Sequence, residues 1–492
     1  MNADWKTVWT AILGIAALGS FSGWVAAEES PFVGSQTCNS VSCHGRSEPR
    51  RDSLGIGGAS LQEFLLYSRR DPHAAAAKRL VSPEFLSILR RLTEAKGGPS
   101  AAEVYQQCAQ CHDPEGMAAA ANAKEPLLPL EVGHGISARG IQCESCHGGA
   151  KDWLATHSQR DLSRSLLSTA GMRDTKKLQV RAELCASCHV GSAEKNVTHD
   201  MLAAGHPPLR FELAAYHRKL TSHDSSGKQS HWNDARERID TKDFEVKLWE
   251  AGQIASAAAS LTLLEGRAHR AALDEKERMG VSFAPWPEFA EYDCFRCHQR
   301  LQPVSENGKT TETSRSEWVG WNLSLVAALT DSRELKALRA EMKKSFASEP
   351  SRVAEQAAAA RKSLLPNLFT ERATSSQLLT LLERPAERSY SWETLCQRYL
   401  ALRAAQKSIG DEFLKLELAG RVGADRRTAF NAQRERIDRD LTEIARSLSF
   451  ANTASEWPRI LMDRDGIMKV ESDLTTAAGK LHELHSYSQV GR

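Results

Sequence analysis

The sequence predicts a mainly α-helical chain, and three observations support this prediction. Apolar residues recur at helical spacing in several stretches, most clearly at Phe430, Ile437, Leu441, Ile444 and Leu448. Hardly any segment alternates apolar and polar residues as a half-buried strand does. Five units of two cysteines and a histidine also occupy residues 38–298 of the 492-residue chain. The helices after residue 316 contain no such unit, so we expect them to form a separate C-terminal part.

The first segment, residues 1–27, is typical of a secretory signal peptide. Lys6 opens a short polar start, an apolar run follows from Trp9 to Trp24, and small residues at 25–27 suit cleavage. An uncleaved N-terminal membrane anchor is the alternative. No later stretch approaches about 18 apolar residues, so we expect a periplasmic mature chain without a transmembrane segment.

Four of the five units have the sequence C-x-x-C-H, which is the attachment motif for c-type haem. Two thiols add to the porphyrin vinyl groups, and the adjacent imidazole binds the iron. The four motifs comprise Cys108, Cys111 and His112; Cys143, Cys146 and His147; Cys185, Cys188 and His189; and Cys294, Cys297 and His298. Four copies predict at least four covalent haems.

The first unit, Cys38, Cys43 and His44, has four residues between its thiols instead of two. The longer loop still spans two vinyl groups, so we predict a fifth haem c there. A disulfide or a lost site is the alternative.

Other uses of paired cysteines fit the sequence less well. A zinc ribbon needs a second pair and no adjacent histidine. A thioredoxin-like motif is single and opens a helix in a βαβ unit, while ferredoxin cysteines are more densely spaced. Ten of the eleven cysteines belong to the five units. The eleventh, Cys396, lies on an apolar helical stripe and is predicted to be a buried, inert thiol.

A second axial ligand for each iron has to come from elsewhere in the chain. Among the sixteen histidines, we expect His73, His134, His157, His199 and His206 to serve as distal ligands. His73 opens an alanine-rich stretch predicted to be helical, His134 lies between two glycines, and His206 ends a short helix. His231 is a weaker candidate, and Met117 and Met172 are possible thioether ligands. The remaining histidines, His217, His223, His269, His482 and His485, are predicted to be solvated.

These motifs resemble a known family. The segments GIQCESCHGGA, LCASCHVG and HDMLAAGHPPLRFEL are similar to the multihaem cytochromes c of the c-554 class, in the hydroxylamine-oxidoreductase-like group. The resemblance covers about residues 35–300. It implies a helical scaffold with stacked haem pairs, bis-histidine ligation and periplasmic electron transfer. The C-x4-C-H unit and the added fifth site depart from the tetrahaem pattern, so the pairing of distal histidines with haems stays open.

The predicted organisation has two parts after the signal peptide. Residues 32–304 form a pentahaem cytochrome c domain in which a long helix carrying Phe244, Leu248 and Leu261 precedes the fifth motif. The polar segment 305–316 is a predicted linker. Residues 317–492 form a helical C-terminal domain, with helices expected at 318–329 and 392–402.

The sequence therefore predicts an electron-transfer protein with five covalently bound, mostly bis-histidine haems and no catalytic residues. The alternative is a multihaem oxidoreductase that acts on a small nitrogen or sulfur compound at one open haem. A C-x-x-C-K motif, which would mark such a haem, is absent from the sequence. The formal net charge of +2 gives no reason to expect nucleic acid as a partner. Redox proteins in the periplasm or at the membrane are the expected partners.

Haem propionates change the charge of the mature protein and give a first prediction. Each haem adds two carboxylates, so five haems make the reduced chain net negative, on the order of −8 if all propionates ionise. Such a carrier meets basic patches on its partner, and stopped-flow electron exchange should slow as ionic strength rises. A rate that is independent of salt, or that rises with it, would contradict a freely diffusing carrier.

Overall fold

A computed structural model describes residues 31–48, 61–94, 98–123, 140–159, 163–221, 235–273, 286–292, 318, 320–326, 330, 332–344, 347–364, 373–384, 391–448 and 464–489. Several sequence predictions lie outside these residues. They are the signal peptide, the linker at 305–316, His134, His231 and the fifth motif with Cys294, Cys297 and His298.

The described chain is mainly α-helical, as predicted, and contains no strand in these ranges. Its helices are α1 (Glu63–Arg70), α2 (Pro83–Thr93), α3 (Ala101–His112), α4 (Pro114–Ala123), α5 (Cys143–His147), α6 (Arg164–Thr169), α7 (Leu178–His189), α8 (His199–Ala204), α9 (Leu213–Thr221), α10 (Ala235–Asp240), α11 (Phe244–Ala272), α12 (Arg333–Met342), α13 (Pro350–Leu364), α14 (Ser375–Leu382), α15 (Trp392–Leu418), α16 (Ala424–Leu448) and α17 (Arg464–Ser486). None of these helices is long and apolar enough to span a membrane.

Two predicted helices differ from the structure. The alanine-rich stretch after His73 forms two 3-10 turns, Pro72–Ala75 and Ala77–Val81, and not one α-helix. The run is short, and the extended Ser82 and the following Pro83 begin the next helix. The stretch expected to be helical from residue 318 has turns at 321–325, where Trp321 bonds to a distant backbone carbonyl.

The long helix α11 organises the largest hydrophobic core. It packs against α7, α9, α13 and α15, and its Trp249 is among the largest fully buried side chains. Helices α14 to α17 extend the same core, so segments on both sides of the predicted linker share it. The stripe from Phe430 to Leu448 is buried on α16, as predicted. Cys396 is also fully buried, and burial raises the pKa of its thiol.

The N-terminal part of the described chain has a much smaller core. Between residues 31 and 159 the buried hydrophobic side chains are Ala77, Leu80, Phe85, Val104, Tyr105, Ala109, Ala150 and Trp153. Only four of them form a cluster, and α11 alone buries more. Three of the cysteine-containing units lie in this region. The protein atoms alone therefore supply little apolar bulk around them.

A buried polar contact fixes the start of α11 to the C-terminal helices. Asp243 adopts a left-handed conformation with φ of 55° and is 2% exposed. Its carboxylate accepts hydrogen bonds from the Ser375 amide and hydroxyl, at 3.2 and 2.5 Å, and from the Ser408 hydroxyl at 3.2 Å. These bonds connect α11, α14 and α15 at one point.

Replacing Asp243 tests this connection. Asp243→Ala leaves three buried donors without their acceptor and places an ordinary side chain in the left-handed region, so we expect a loss of about 2–4 kcal/mol of unfolding free energy. Asp243→Asn, which tolerates that conformation and keeps one acceptor, should cost less. Urea titration of both variants measures this, and equal stability of Asp243→Ala and the wild type would contradict the role.

Candidate functional site

Helix geometry presents the two thiols of each described C-x-x-C-H motif on one face. Cys108 to His112 end α3, Cys143 to His147 form α5, and Cys185 to His189 end α7. Residues three apart in an α-helix lie on the same side. Each pair of thiols is therefore arranged to contact one group, with the motif histidine next to it.

The longer first unit folds back to reach a similar arrangement. Cys38 lies in the 3-10 turn Ser35–Asn39, and the His44 amide donates to the Cys38 carbonyl at 3.2 Å. The inserted residues form an exposed loop, with Val41 71% exposed. Cys43 is exposed and Cys38 is half-buried.

Two motif histidines face predicted distal histidines across a short gap. The rings of His44 and His157 have centroids 6.3 Å apart and planes 25° apart. The rings of His73 and His189 have centroids 6.0 Å apart and planes 80° apart. His112 and His206 interact electrostatically. Burial and, to a smaller extent, the charge of His206 lower the pKa of His112. The structure thus brings together residues far apart in sequence.

These separations fit one metal ion between two imidazoles. Imidazole nitrogens bind first-row metals at about 2.0 Å and the ring centre lies about 1 Å behind the nitrogen, so two rings on opposite sides of one ion have centroids about 6 Å apart. Direct packing of two rings requires no such gap. The centroid distance in each pair therefore matches that of two imidazoles bound to one metal ion.

Four of the candidate ligand histidines have a hydrogen-bonded Nδ1 atom. His44 Nδ1 lies 2.9 Å from Glu63 and His73 Nδ1 lies 2.7 Å from Asp71. His157 Nδ1 and His206 Nδ1 lie 2.6 and 2.8 Å from backbone carbonyls. A carbonyl or carboxylate at Nδ1 fixes the tautomer in which Nε2 carries the lone pair. This is the arrangement that orients an imidazole as a metal ligand.

The acidic partners also affect protonation. The hydrogen bond from His44 to Glu63 raises the pKa of that imidazole. For His73, burial opposes the charged form, but the hydrogen bond to Asp71 and its charge raise the pKa overall. His189 has no such partner among the described acids, and burial followed by the charges of His73 and His112 lowers its pKa to about 4. His189 is therefore neutral at physiological pH, as a ligand must be.

Thiols from different units affect one another's pKa. The Cys143 side chain raises the pKa of Cys38, and the Cys38 side chain lowers that of Cys143. The Cys111 side chain, together with Lys195, whose Nζ lies 3.2 Å from the sulfur, lowers the Cys188 pKa to about 5. The first unit therefore adjoins the third, and the second adjoins the fourth.

Glu144 lies between the two cysteines of the third unit, Cys143 and Cys146. It is a structural residue that the sequence analysis missed. It is 1% exposed, and its carboxylate accepts hydrogen bonds from the Val33, Gly34 and Ala150 amides at 2.8 to 2.9 Å. These bonds attach the segment before Cys38 to the third unit. A glutamate between two motif cysteines is ordinary in sequence, so no local signal identifies it.

For the other histidines, two predictions are wrong and one placement is confirmed. His217, predicted to be solvated, is 2% exposed and accepts a hydrogen bond from the Arg181 guanidinium at 3.1 Å, because α9 turns this face toward α7 and α11. His485, also predicted to be solvated, is buried on α17. His206 follows the short helix α8 directly, as predicted, after Gly205 in the left-handed conformation.

Two of the remaining candidates have local contacts. His199 begins α8, its amide donates to Glu288 at 2.9 Å, and its ring lies edge-on to Phe289 at 5.5 Å. Met117 packs against the small N-terminal cluster. Within the described ranges, no group of three or more His, Cys, Asp or Glu side chains is arranged to hold a metal ion.

Comparison of the chain with protein families, curated proteins and solved structures finds no match.

Replacing Glu144 tests its role in joining the first and third units. Glu144→Gln puts an amide donor among three backbone donors, which should cost about 1–3 kcal/mol locally. Hydrogen–deuterium exchange should accelerate tenfold or more at residues 33, 34 and 150. Glu183→Gln, on an exposed position of α7, is the matched control and should leave exchange unchanged. Identical exchange in the two variants would contradict the role of Glu144 in joining the first and third units.

Proposed function

We propose that the chain is a periplasmic multihaem c-type cytochrome that transfers electrons through five covalently bound haems, in the manner of the c-554 class it resembles. The observation that carries the proposal is the pair of imidazole gaps at His44–His157 and His73–His189, of 6.3 and 6.0 Å. Each gap has room for one iron. In each pair the histidine outside the motif has its Nδ1 bonded, which leaves its Nε2 as the nitrogen available to a metal.

The geometry supports a pairing that the motifs leave open. His157 would be the distal ligand opposite His44, and His73 the distal ligand opposite His189. His134, His199 and His206 remain as candidates for the haems of His112, His147 and His298. Cys38, Cys43, Cys108, Cys111, Cys143, Cys146, Cys185, Cys188, Cys294 and Cys297 would form the thioether bonds.

The contacts between thiols support close approach of the attachment sites. Cys38 meets Cys143 and Cys111 meets Cys188, so the first and third porphyrins, and the second and fourth, would have neighbouring edges. When bound, each haem supplies a one-electron ferric–ferrous couple. Neighbouring edges would then give electrons a short route through the N-terminal part of the chain.

The small N-terminal core also supports the proposal. The described residues between 31 and 159 bury few large apolar side chains, although they include three cysteine-containing units. A porphyrin is a large, largely apolar surface, and burying it contributes about 25 cal/mol per Å² of apolar area. Three such groups would complete the core that the protein atoms leave small.

Haem content and spin state test the proposal directly. Intact mass and a pyridine haemochrome assay of the exported protein should give five haems per chain, and the oxidised protein should be predominantly low-spin. A count of four that is unchanged in the double variant Cys38→Ser/Cys43→Ser would show that the first unit carries no haem. No covalent haem, with a Cys38–Cys143 disulfide instead, would contradict the proposal.

The two ring angles give a more specific prediction. Nearly parallel imidazole planes split the iron d orbitals strongly, whereas nearly perpendicular planes leave two of them close in energy. Electron paramagnetic resonance should therefore show an ordinary rhombic low-spin signal that His157→Ala removes, and a highly anisotropic signal that His73→Ala removes. His269→Ala, at an exposed histidine of α11, is the control. Loss of the wrong signal in either variant would contradict the pairing.

A further inference from the structure

The segment 205–212, between α8 and α9, contacts one of the proposed haem sites and contains His206, a proposed distal ligand of another. Phe211 stacks on the ring of His189, the motif histidine of α7, with centroids 4.8 Å apart and planes 18° apart. A displacement of this segment would therefore move groups at both sites together.

The segment has little regular backbone structure of its own. Its described backbone bonds include those from the Gly205 amide to Leu202, from the His206 amide to Met201 and from the Arg210 amide to Pro208. Pro207 and Pro208 have no amide hydrogen to donate. The position of residues 207–211 therefore depends on tertiary contacts.

Two tryptophans from the C-terminal part provide such contacts. Trp321 Nε1 donates a hydrogen bond to the Phe211 carbonyl at 2.6 Å. The Arg210 guanidinium lies 4.7 Å from the ring centroid of Trp392, within cation–π range. The two indoles are themselves 6.3 Å apart. Consecutive residues 210 and 211 are thus held by neighbouring indoles.

The indole of Trp392 is fixed by the long C-terminal helices. Trp392 is the first residue of α15 and is 1% exposed. Its Nε1 donates to the carbonyl of Leu448, the last residue of α16, at 2.7 Å. The contact to Arg210 therefore links the segment to two helices of 27 and 25 residues.

We propose that the C-terminal helical part is a positioning element for the fourth haem site and for His206. Trp321 and Trp392 hold segment 205–212 so that Phe211 stays against His189 and His206 keeps its position at the end of α8. This inference rests on the proposed function for its haem sites, whereas the tryptophan contacts themselves involve only described side chains. Trp321 and Trp392 are positioning residues that act through the segment.

The test compares Trp321→Phe with Trp249→Phe. Trp321→Phe keeps an aromatic ring but removes the Nε1–H that donates to the Phe211 carbonyl, together with part of the buried ring. Trp249 is a fully buried indole of α11 whose Nε1 has no hydrogen-bond partner among the described residues, so Trp249→Phe is a matched packing control. Both variants are made in the full-length, exported protein.

We expect amide exchange in residues 205–212 to accelerate about fivefold to tenfold in Trp321→Phe and to stay unchanged in Trp249→Phe. In electron paramagnetic resonance, the signal assigned to His73–His189 should shift, while that of His44–His157 should not. Equal exchange and equal spectra in the two variants would overturn the proposal, as would a shift confined to the His44–His157 signal.

A second variant keeps the test decisive if Trp321→Phe is not produced in folded form. Arg210→Gln removes the cation–π contact to Trp392 from a partly exposed position, and should give the same two changes at smaller amplitude. Failure of the proposed function is recognised separately. If the wild type contains no haem, exchange in 205–212 still reports whether the tryptophans hold the segment.

Discussion

The arrangement depends on pairs of imidazoles held about 6 Å apart by groups behind them. The ring centroids of His44–His157 and His73–His189 are 6.3 and 6.0 Å apart. Glu63, Asp71 and the Leu154 carbonyl bind the Nδ1 atoms of His44, His73 and His157. These contacts leave Nε2 as the ring nitrogen available to a metal, as partners of metal-binding histidines do. In our proposal, protein groups therefore preorganise the two sites.

The helical scaffold connects the segments that carry these local bonds. Helix α7 carries the fourth unit, with Cys185, Cys188 and His189, and packs on α11. Helix α11 in turn packs on the C-terminal helices. Glu144 attaches the first unit to the third, and segment 205–212 connects α8 with the indoles of the C-terminal part. The N-terminal part has a small core of its own, so its order depends on these attachments and, in our proposal, on the haems.

The sequence was sufficient for some of these features and not for others. Helical periodicity predicted α11, α15 and the buried stripe of α16, because those helices bury a face along their whole length. The motif spacing located the thiols, and the ligand roles of His73, His157 and His206 stay predictions. The approach of His73 to His189 and of His157 to His44 arises from contacts between residues far apart in the chain, as do the role of Glu144 and the burial of His217. Local pattern contains no information on such contacts. The 3-10 turns after His73 were missed because the alanine run suggested a helix that Pro83 cuts short.

Anomalous X-ray diffraction at the iron absorption edge tests the central claim most directly. We expect one iron peak between the rings of His44 and His157, and one between those of His73 and His189, each about 2 Å from both Nε2 atoms. Iron bound to His44 or His189 but to neither of these partners, or gaps that contain no iron in crystals of the exported protein, would contradict the account.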